Sequence, residues 1–238
     1  MLYKKVLPAL LAATVGYGVS TAFAEPEISA NVSLTSDYRF RGISQSDDDP
    51  ALQGGFDLAF DNGLYIGTWG SSVDFGGGDY GSLELDYYLG WKKETAGGVG
   101  FDMGYIYYSY PGDEGSADGD YQEIYGSVSF ADITLGLAYS DDYYAESGDF
   151  LYYYADYSLG LADNISLDFH IGYNDFDEEG FLSDGADSYL DYSIALTATY
   201  MAVDFSLAWV GTDLDEEEYF ELDDLIDDAA VFSISKKF

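Results

Sequence analysis

Ile28-Ser29-Ala30-Asn31-Val32-Ser33-Leu34-Thr35-Ser36-Asp37-Tyr38-Arg39-Phe40 alternates in character from end to end. Ile28, Ala30, Val32, Leu34, Ser36, Tyr38 and Phe40 share one side, and Ser29, Asn31, Ser33, Thr35, Asp37, Arg39 and then Arg41 share the other. Successive side chains of a strand point to opposite faces, so a period of two predicts one strand with an apolar and a polar face. A run of roughly thirteen residues exceeds the usual globular strand of about 5–6 and suits a tilted strand that crosses a bilayer. A loop, a second alternating run, an Asn62-Gly63 turn and a third run follow, and this up-loop-down-turn-up pattern continues to Phe238.

Ser36-Asp37-Tyr38-Arg39-Phe40-Arg41-Gly42-Ile43-Ser44-Gln45, Gln53-Gly54-Gly55-Phe56-Asp57 and Gly63-Leu64-Tyr65-Ile66-Gly67-Thr68-Trp69 resemble the signature of the TorF-type porins, proteobacterial outer-membrane proteins. The resemblance is close over the first quarter of the chain beyond the leader. Elsewhere it is one of style, with aromatic strands, acidic loops and a terminal Phe. Members of that family carry Asn two residues after the position of Gly70, where this chain has Ser72. The resemblance implies a barrel and a pore, and it brings no catalytic residues.

Working outward, the N-terminus reads as a signal peptide over residues 1–24: Lys4 and Lys5, a short apolar run from Val6 to Gly18, then the small-x-small site Ala22-Phe23-Ala24. The run is shorter than the ~20 residues a spanning helix needs. Residues 25–238 then form one barrel exported to the outer membrane of a Gram-negative cell. The chain has 8 Lys and Arg against 45 Asp and Glu, a formal net charge of −37. That excludes nucleic acid as a partner, since phosphate binding relies on Lys and Arg. Acidity with few aromatics would suggest disorder, but 25 Tyr, 15 Phe and 3 Trp argue against it. There is no cysteine, and a closed barrel, having no edge, needs no disulfide staple.

In chain order, the second strand, Ala51 to Asp61, turns Leu52, Phe56, Leu58 and Phe60 outward and Gln53, Asp57 and Asp61 inward. Asn62-Gly63 predicts a type I′ turn. The third strand, Leu64 to Asp74, reads with Tyr65, Trp69 and Val73 outward and Leu64 and Ile66 inward. The fourth is the most regular, with Leu83, Leu85, Tyr87, Leu89 and Trp91 outward and Glu84, Asp86 and Tyr88 inward. The same pattern runs on to a twelfth strand whose outer face ends on Phe238, like an outer-membrane assembly signal. Twelve strands with alternating short turns and long acidic loops make an even-numbered antiparallel transmembrane β-barrel. A soluble barrel or sandwich would bury its apolar face instead.

The polar face carries an acid on most strands: Asp37, Asp57, Glu84, Asp86, Asp102, Glu123, Asp156, Asp168, Asp191 and Asp204, with His170 beside Asp168. Arg39 and Arg41 are the basic residues expected on that face above the periplasmic rim, where Lys92, Lys93, Lys236 and Lys237 sit. With the inward Tyr88, Tyr108, Tyr125, Tyr152 and Tyr154, these residues predict a narrowed, cation-preferring lumen for small solutes, with a transverse field between the arginines and the acids. The alternative is a non-conducting surface barrel whose acidic loops bind divalent cations or surface partners. An outer-membrane hydrolase is a third reading, and it lacks an outward base because the single histidine, His170, falls on the inner face. Asp175-x-Asp177-x-Glu179-Gly180 opens like a calcium loop, but Ala186 stands at position twelve and the EF-hand pattern fails. No cofactor and no metal site follow from the sequence. The expected partners are outer-membrane lipid, lipopolysaccharide, the outer-membrane assembly machinery, and small solutes or cations.

Overall fold

The computed structural model describes residues 25–75, 81–112, 119–177, 186–214 and 223–238. The expected leader at 1–24 lies outside these, as do parts of the acidic loops, including positions 179 and 180 of the calcium-like run. Twelve antiparallel strands close into one barrel. In chain order they are β1 (Glu27–Thr35), then, after an inserted hairpin of β2 (Arg39–Phe40) and β3 (Ile43–Ser44), β4 (Ala51–Ala59), β5 (Leu64–Ser72), β6 (Leu83–Glu94), β7 (Val99–Ser109), β8 (Tyr121–Phe130), β9 (Ile133–Ser140), β10 (Phe150–Ala162), β11 (Ile165–Phe176), β12 (Ser188–Tyr200), β13 (Val203–Thr212) and β14 (Ala229–Lys237). Each strand pairs with its sequence neighbour. β1 pairs with β4 on one side and with β14 on the other, which closes the ring. A single-turn helix, α1 (Asp223–Ile226), precedes β14.

The wall is inverted relative to a soluble barrel. Leu34, Leu52, Leu89, Ile124, Leu135 and Leu207 all stand more than half exposed on the outside, while Asn174, Glu84, Glu123 and Asp191 are almost completely buried inside. An apolar outer face of this extent demands a lipid-like solvent. The start of β1, the end of β14 and the short turns share one end of the barrel, where Glu27 pairs with Ala59 beside the 60–63 turn. Lys92, Lys93, Lys236 and Lys237 are at that end too. The longer connections are at the other.

The structure corrects three expectations. The first strand does not run to Phe40. It ends at Thr35, and the chain turns into the barrel as the β2–β3 hairpin before returning at Ala51, the partner of Thr35. In β5 the phase is reversed: Leu64 and Ile66 are 49% and 48% exposed on the outer wall, and Tyr65 and Trp69 point inward. Trp69 packs edge-on against Tyr38 and Tyr65 meets Asp102. Leu64 and Ile66 have to face lipid because they pair with the outward Trp91 and Leu89. Finally, the 60–63 turn has positive φ only at Gly63 (92°), with Gly63 N–H donating to Phe60 O at 2.9 Å and Phe60 N–H to Leu64 O at 2.8 Å. This is a three-residue connection with glycine in the left-handed position, the type I turn with a G1 bulge rather than type I′. The two-residue Met201-Ala202 turn, by contrast, has both φ angles positive (52° and 58°).

Candidate functional site: the lumen and its inserted hairpin

The hairpin gives the lumen its shape. Arg39 pairs with Ser44 and Phe40 with Ile43, leaving Arg41 and Gly42 as the two-residue tip, with φ of 50° and 84°. Two consecutive positive φ angles are the type I′ pattern. Glycine adopts it freely, whereas arginine rarely does, so the surroundings must hold Arg41 there. They do so from around the ring. Tyr38 Oη donates to Glu84 of β6 at 3.3 Å. Phe40 meets Tyr108 of β7 edge-on. Tyr189 of β12 donates to Arg41 O at 3.2 Å. A Cβ on Gly42 would strike Thr212 and Gly211 O of β13. A segment touching strands from opposite sides of the ring must lie inside it.

The two arginines have different surroundings. Arg39 is bound within the hairpin and to the segment before β14. It contacts Asp37 and reaches Asp48 Oδ1 at 2.5 Å, and its Nη1 donates to the carbonyls of Leu225 and Asp227, each at 2.9 Å. Asp37 also accepts from Ser44 Oγ at 2.7 Å and Ser46 Oγ at 3.3 Å. Asp37 and Arg39 thus brace the stem. Arg41 projects from the tip. Its Nη1 and Nη2 approach Glu123 Oε1 and Oε2 of β8 at 2.8 and 2.9 Å. Its Cζ lies 4.3 Å from the ring centre of Tyr152, 4.6 Å from Phe40, 4.7 Å from Phe150 and 5.8 Å from Tyr143.

Above the tip, toward the long connections, the lumen is packed. Tyr38, Ile43, Tyr110, Tyr121, Tyr143, Phe150, Phe176 and Tyr189 belong to a buried, largely aromatic core. Below it, toward the short turns, lies a cavity of about 1070 Å³. The structure brings Arg39, Arg41, Asp57, Asp102, Glu123, His170 and Asp191 to its walls, with Lys92, Glu27 and Asp61 at the turn end. Tyr88 donates to Asp57 at 2.5 Å and Tyr65 to Asp102 at 2.6 Å, so tyrosines fix these carboxylates. The rings lie flat because the facing residue has no side chain: a Cβ on Gly67, Gly90, Gly104 or Gly136 would collide with Tyr88, Tyr65, Tyr125 or Tyr154.

Other expected residues fall elsewhere. Glu84 and Asp86 are 1% and 5% exposed and belong to the packed half, beneath Tyr38, away from the cavity. Asp156 contacts His170 Nδ1 at 2.6 Å, while His170 Nε2 meets Asp191 at 2.9 Å and the Tyr152 hydroxyl at 2.8 Å, so both ring nitrogens are engaged. Asp168 accepts from Ser158 and Ser166, and Asp204 from Thr199, on the lower wall. Among the described residues, no group of three His, Cys, Asp or Glu side chains could hold a metal ion.

Sequence reasoning missed Tyr65, through the phase of β5, and Tyr143 and Phe150, which line the Arg41 recess. Alternation gave no warning of an inserted hairpin, because Asp37, Arg39 and Arg41 keep the period of two across its turn. The one available signal was Arg41-Gly42 as a hairpin dipeptide.

A family model described as a bacterial protein of unknown function (Gcw_chp) matches residues 20–238. The chain belongs to that family. No curated protein matches. Among solved structures, the KdgM porin is similar at a TM-score of 0.53 and 9% identity, covering 88% of this chain and 98% of that one. The NanC porin gives 0.54 at 8% identity, with the same coverage. At such identities the likeness is one of fold, a closed twelve-stranded barrel.

Proposed function

We propose that this Gcw_chp family member is an outer-membrane, porin-like barrel for passive movement of small solutes, with a preference for cations. The observation that carries the proposal is the cavity of about 1070 Å³ below the hairpin, whose walls bear Asp57, Asp102, Glu123, His170 and Asp191 against the two arginines. Acids in a partly desolvated passage act through a lower dielectric than in bulk water, and screening over about 8 Å at physiological salt leaves them effective at that range. The apolar outer wall, the resemblance of residues 36–69 to the TorF-type porins and the fold shared with two porins support the same reading. No helix among the described residues is long and apolar enough to span a membrane, so crossing would rest on the strands. The hairpin restricts passage in this conformation, which also favours a second reading, a surface barrel that conducts poorly.

The test is the reversal potential of purified protein in planar bilayers under a KCl gradient. Cation preference is expected. Anion preference, or no current even with the hairpin removed, would refute the channel. The leader at residues 1–24, contact with lipopolysaccharide at the loop end and recognition by the assembly machinery belong to the same proposal. Phe238 exchanges backbone hydrogen bonds with Ala30 at 2.8 and 3.3 Å at the closing seam. Its deletion should lower the amount of heat-modifiable barrel in the outer membrane without blocking export, and an unchanged amount would remove its signalling role.

A further inference from the structure

We propose that the recess around Arg41 is a guanidinium-binding socket, occupied here by the chain's own side chain, and that small solutes bearing a guanidinium group compete for it from the cavity below. As a statement about solutes, this rests on the porin-like reading. The walls of the socket belong to the barrel and its connections: Glu123 on β8, Phe150 and Tyr152 on β10, and Tyr143 in the connection between β9 and β10. Phe40 travels with the hairpin. Tyr108 Oη donates to Glu123 Oε2 at 3.2 Å, so the carboxylate is held in place independently of Arg41. A planar fork over flat rings and one two-oxygen acceptor is guanidinium chemistry. An ammonium is a compact, strongly hydrated charge and would match neither feature.

Two features indicate that the resident side chain is an imperfect occupant. Arg41 Nε and Glu123 Oε1 are buried without a well-aligned hydrogen bond, although Nη1 stands 2.8 Å from that oxygen. Arg41 also holds a left-handed backbone conformation, φ 50°, which a side chain larger than glycine adopts at some expense. A free guanidinium carries neither constraint. It can align both donors with Glu123, and the cavity that reaches Arg41, Glu123 and Tyr152 from the turn end provides its approach. Displacing the Arg41 side chain would enlarge the cavity at the tip of the hairpin. The stem would stay where Arg39 fixes it to the carbonyls of Leu225 and Asp227.

The experiment uses Arg41→Ala, Arg41→Lys and the double variant Arg41→Ala with Glu123→Gln, each checked for heat-modifiable barrel before use. The probe is methylguanidinium, with methylammonium and urea as controls. By calorimetry in detergent, Arg41→Ala should bind methylguanidinium in the millimolar range. Adding Glu123→Gln should weaken that binding about tenfold or more, as expected when a charge-assisted fork loses its acceptor charge. Methylammonium and urea should bind at least as weakly as the double variant binds the probe. In bilayers, methylguanidinium added from the turn side should reduce the current of Arg41→Ala. Arg41→Lys serves if the alanine variant does not assemble, because lysine keeps the charge and leaves the fork unoccupied. Binding that is equal for methylammonium, or unaffected by Glu123→Gln, overturns the socket. An absence of current in every variant and in a chain shortened by removal of residues 36–50, with calorimetric binding intact, overturns the porin-like reading and leaves the socket standing.

Discussion

The two halves of the lumen are built from the same alternation and end up opposite in character. Toward the short turns, inward residues stand around a cavity and pair off as tyrosine and carboxylate, Tyr88 with Asp57 and Tyr65 with Asp102. Toward the long connections, inward residues such as Tyr121, Phe150, Phe176 and Tyr189 pack into a core with the β2–β3 hairpin at its centre. The difference is what fills the space. An inward aromatic facing another aromatic across a narrow gap excludes water, while an inward acid facing a hydroxyl keeps it. The hairpin makes the first case possible by bringing Tyr38, Phe40 and Ile43 into a ring that would otherwise be too wide to fill with wall residues alone.

The contrast predicts unequal responses to mutation. The largest should come from Phe150→Ala, which removes a ring stacked 4.1 Å from Tyr143 in the packed half. A loss of about 3–5 kcal/mol is expected from a buried Phe→Ala change, measured by urea titration of the barrel in lipid vesicles. Gly42→Ala should follow, at about 1–2 kcal/mol for a side chain forced into a left-handed φ, with contacts to Thr212 adding to it. Its signature would be greater protease sensitivity of the hairpin with the wall intact. In the cavity half, Tyr88→Phe deletes one hydroxyl that donates to Asp57, and about 0.5–1.5 kcal/mol is the usual loss. Asp168→Asn, on the lower wall, should leave stability within about 0.5 kcal/mol and move the reversal potential toward lower cation preference. If Phe150→Ala and Tyr88→Phe proved equally mild, the distinction between the halves would collapse.

The wall was legible in the sequence and the filling was not. Leu83 to Trp91 alternate without a break, because each outward residue meets lipid and each inward one meets lumen, and the structure keeps that phase throughout. The phase of β5 failed because Tyr65 and Trp69 are large and apolar enough to pass for lipid-facing residues, yet each has a specific partner inside: Asp102 for Tyr65, Tyr38 for Trp69. The hairpin escaped notice for a different reason. Period-two alternation depends only on extended backbone, and both arms of the hairpin are extended, so Ser36 to Phe40 reads the same whether it continues the wall or leaves it. Only the turn chemistry differs, and Arg41-Gly42 departs from the Asn-Gly and Asp-Gly pairs that mark such turns. Parity put the acids of the wall strands on one face, but Asp37 left the wall with the hairpin. Which of them reach the cavity depends on what the hairpin covers, so Asp57 and Asp102 line it while Glu84 and Asp86 lie beneath Tyr38.

The barrel wall does not need the hairpin for continuity, because Thr35 pairs directly with Ala51. Residues 36–50 can therefore be replaced by an Asn-Gly turn that joins β1 to β4. The single-channel current and reversal potential of this shortened chain, set beside those of the wild type in a KCl gradient, test the central claim most directly. A several-fold rise in conductance with a cation-preferring reversal potential is the predicted result. A correctly assembled shortened barrel with wild-type conductance would contradict it, since the hairpin would then not be what restricts the lumen.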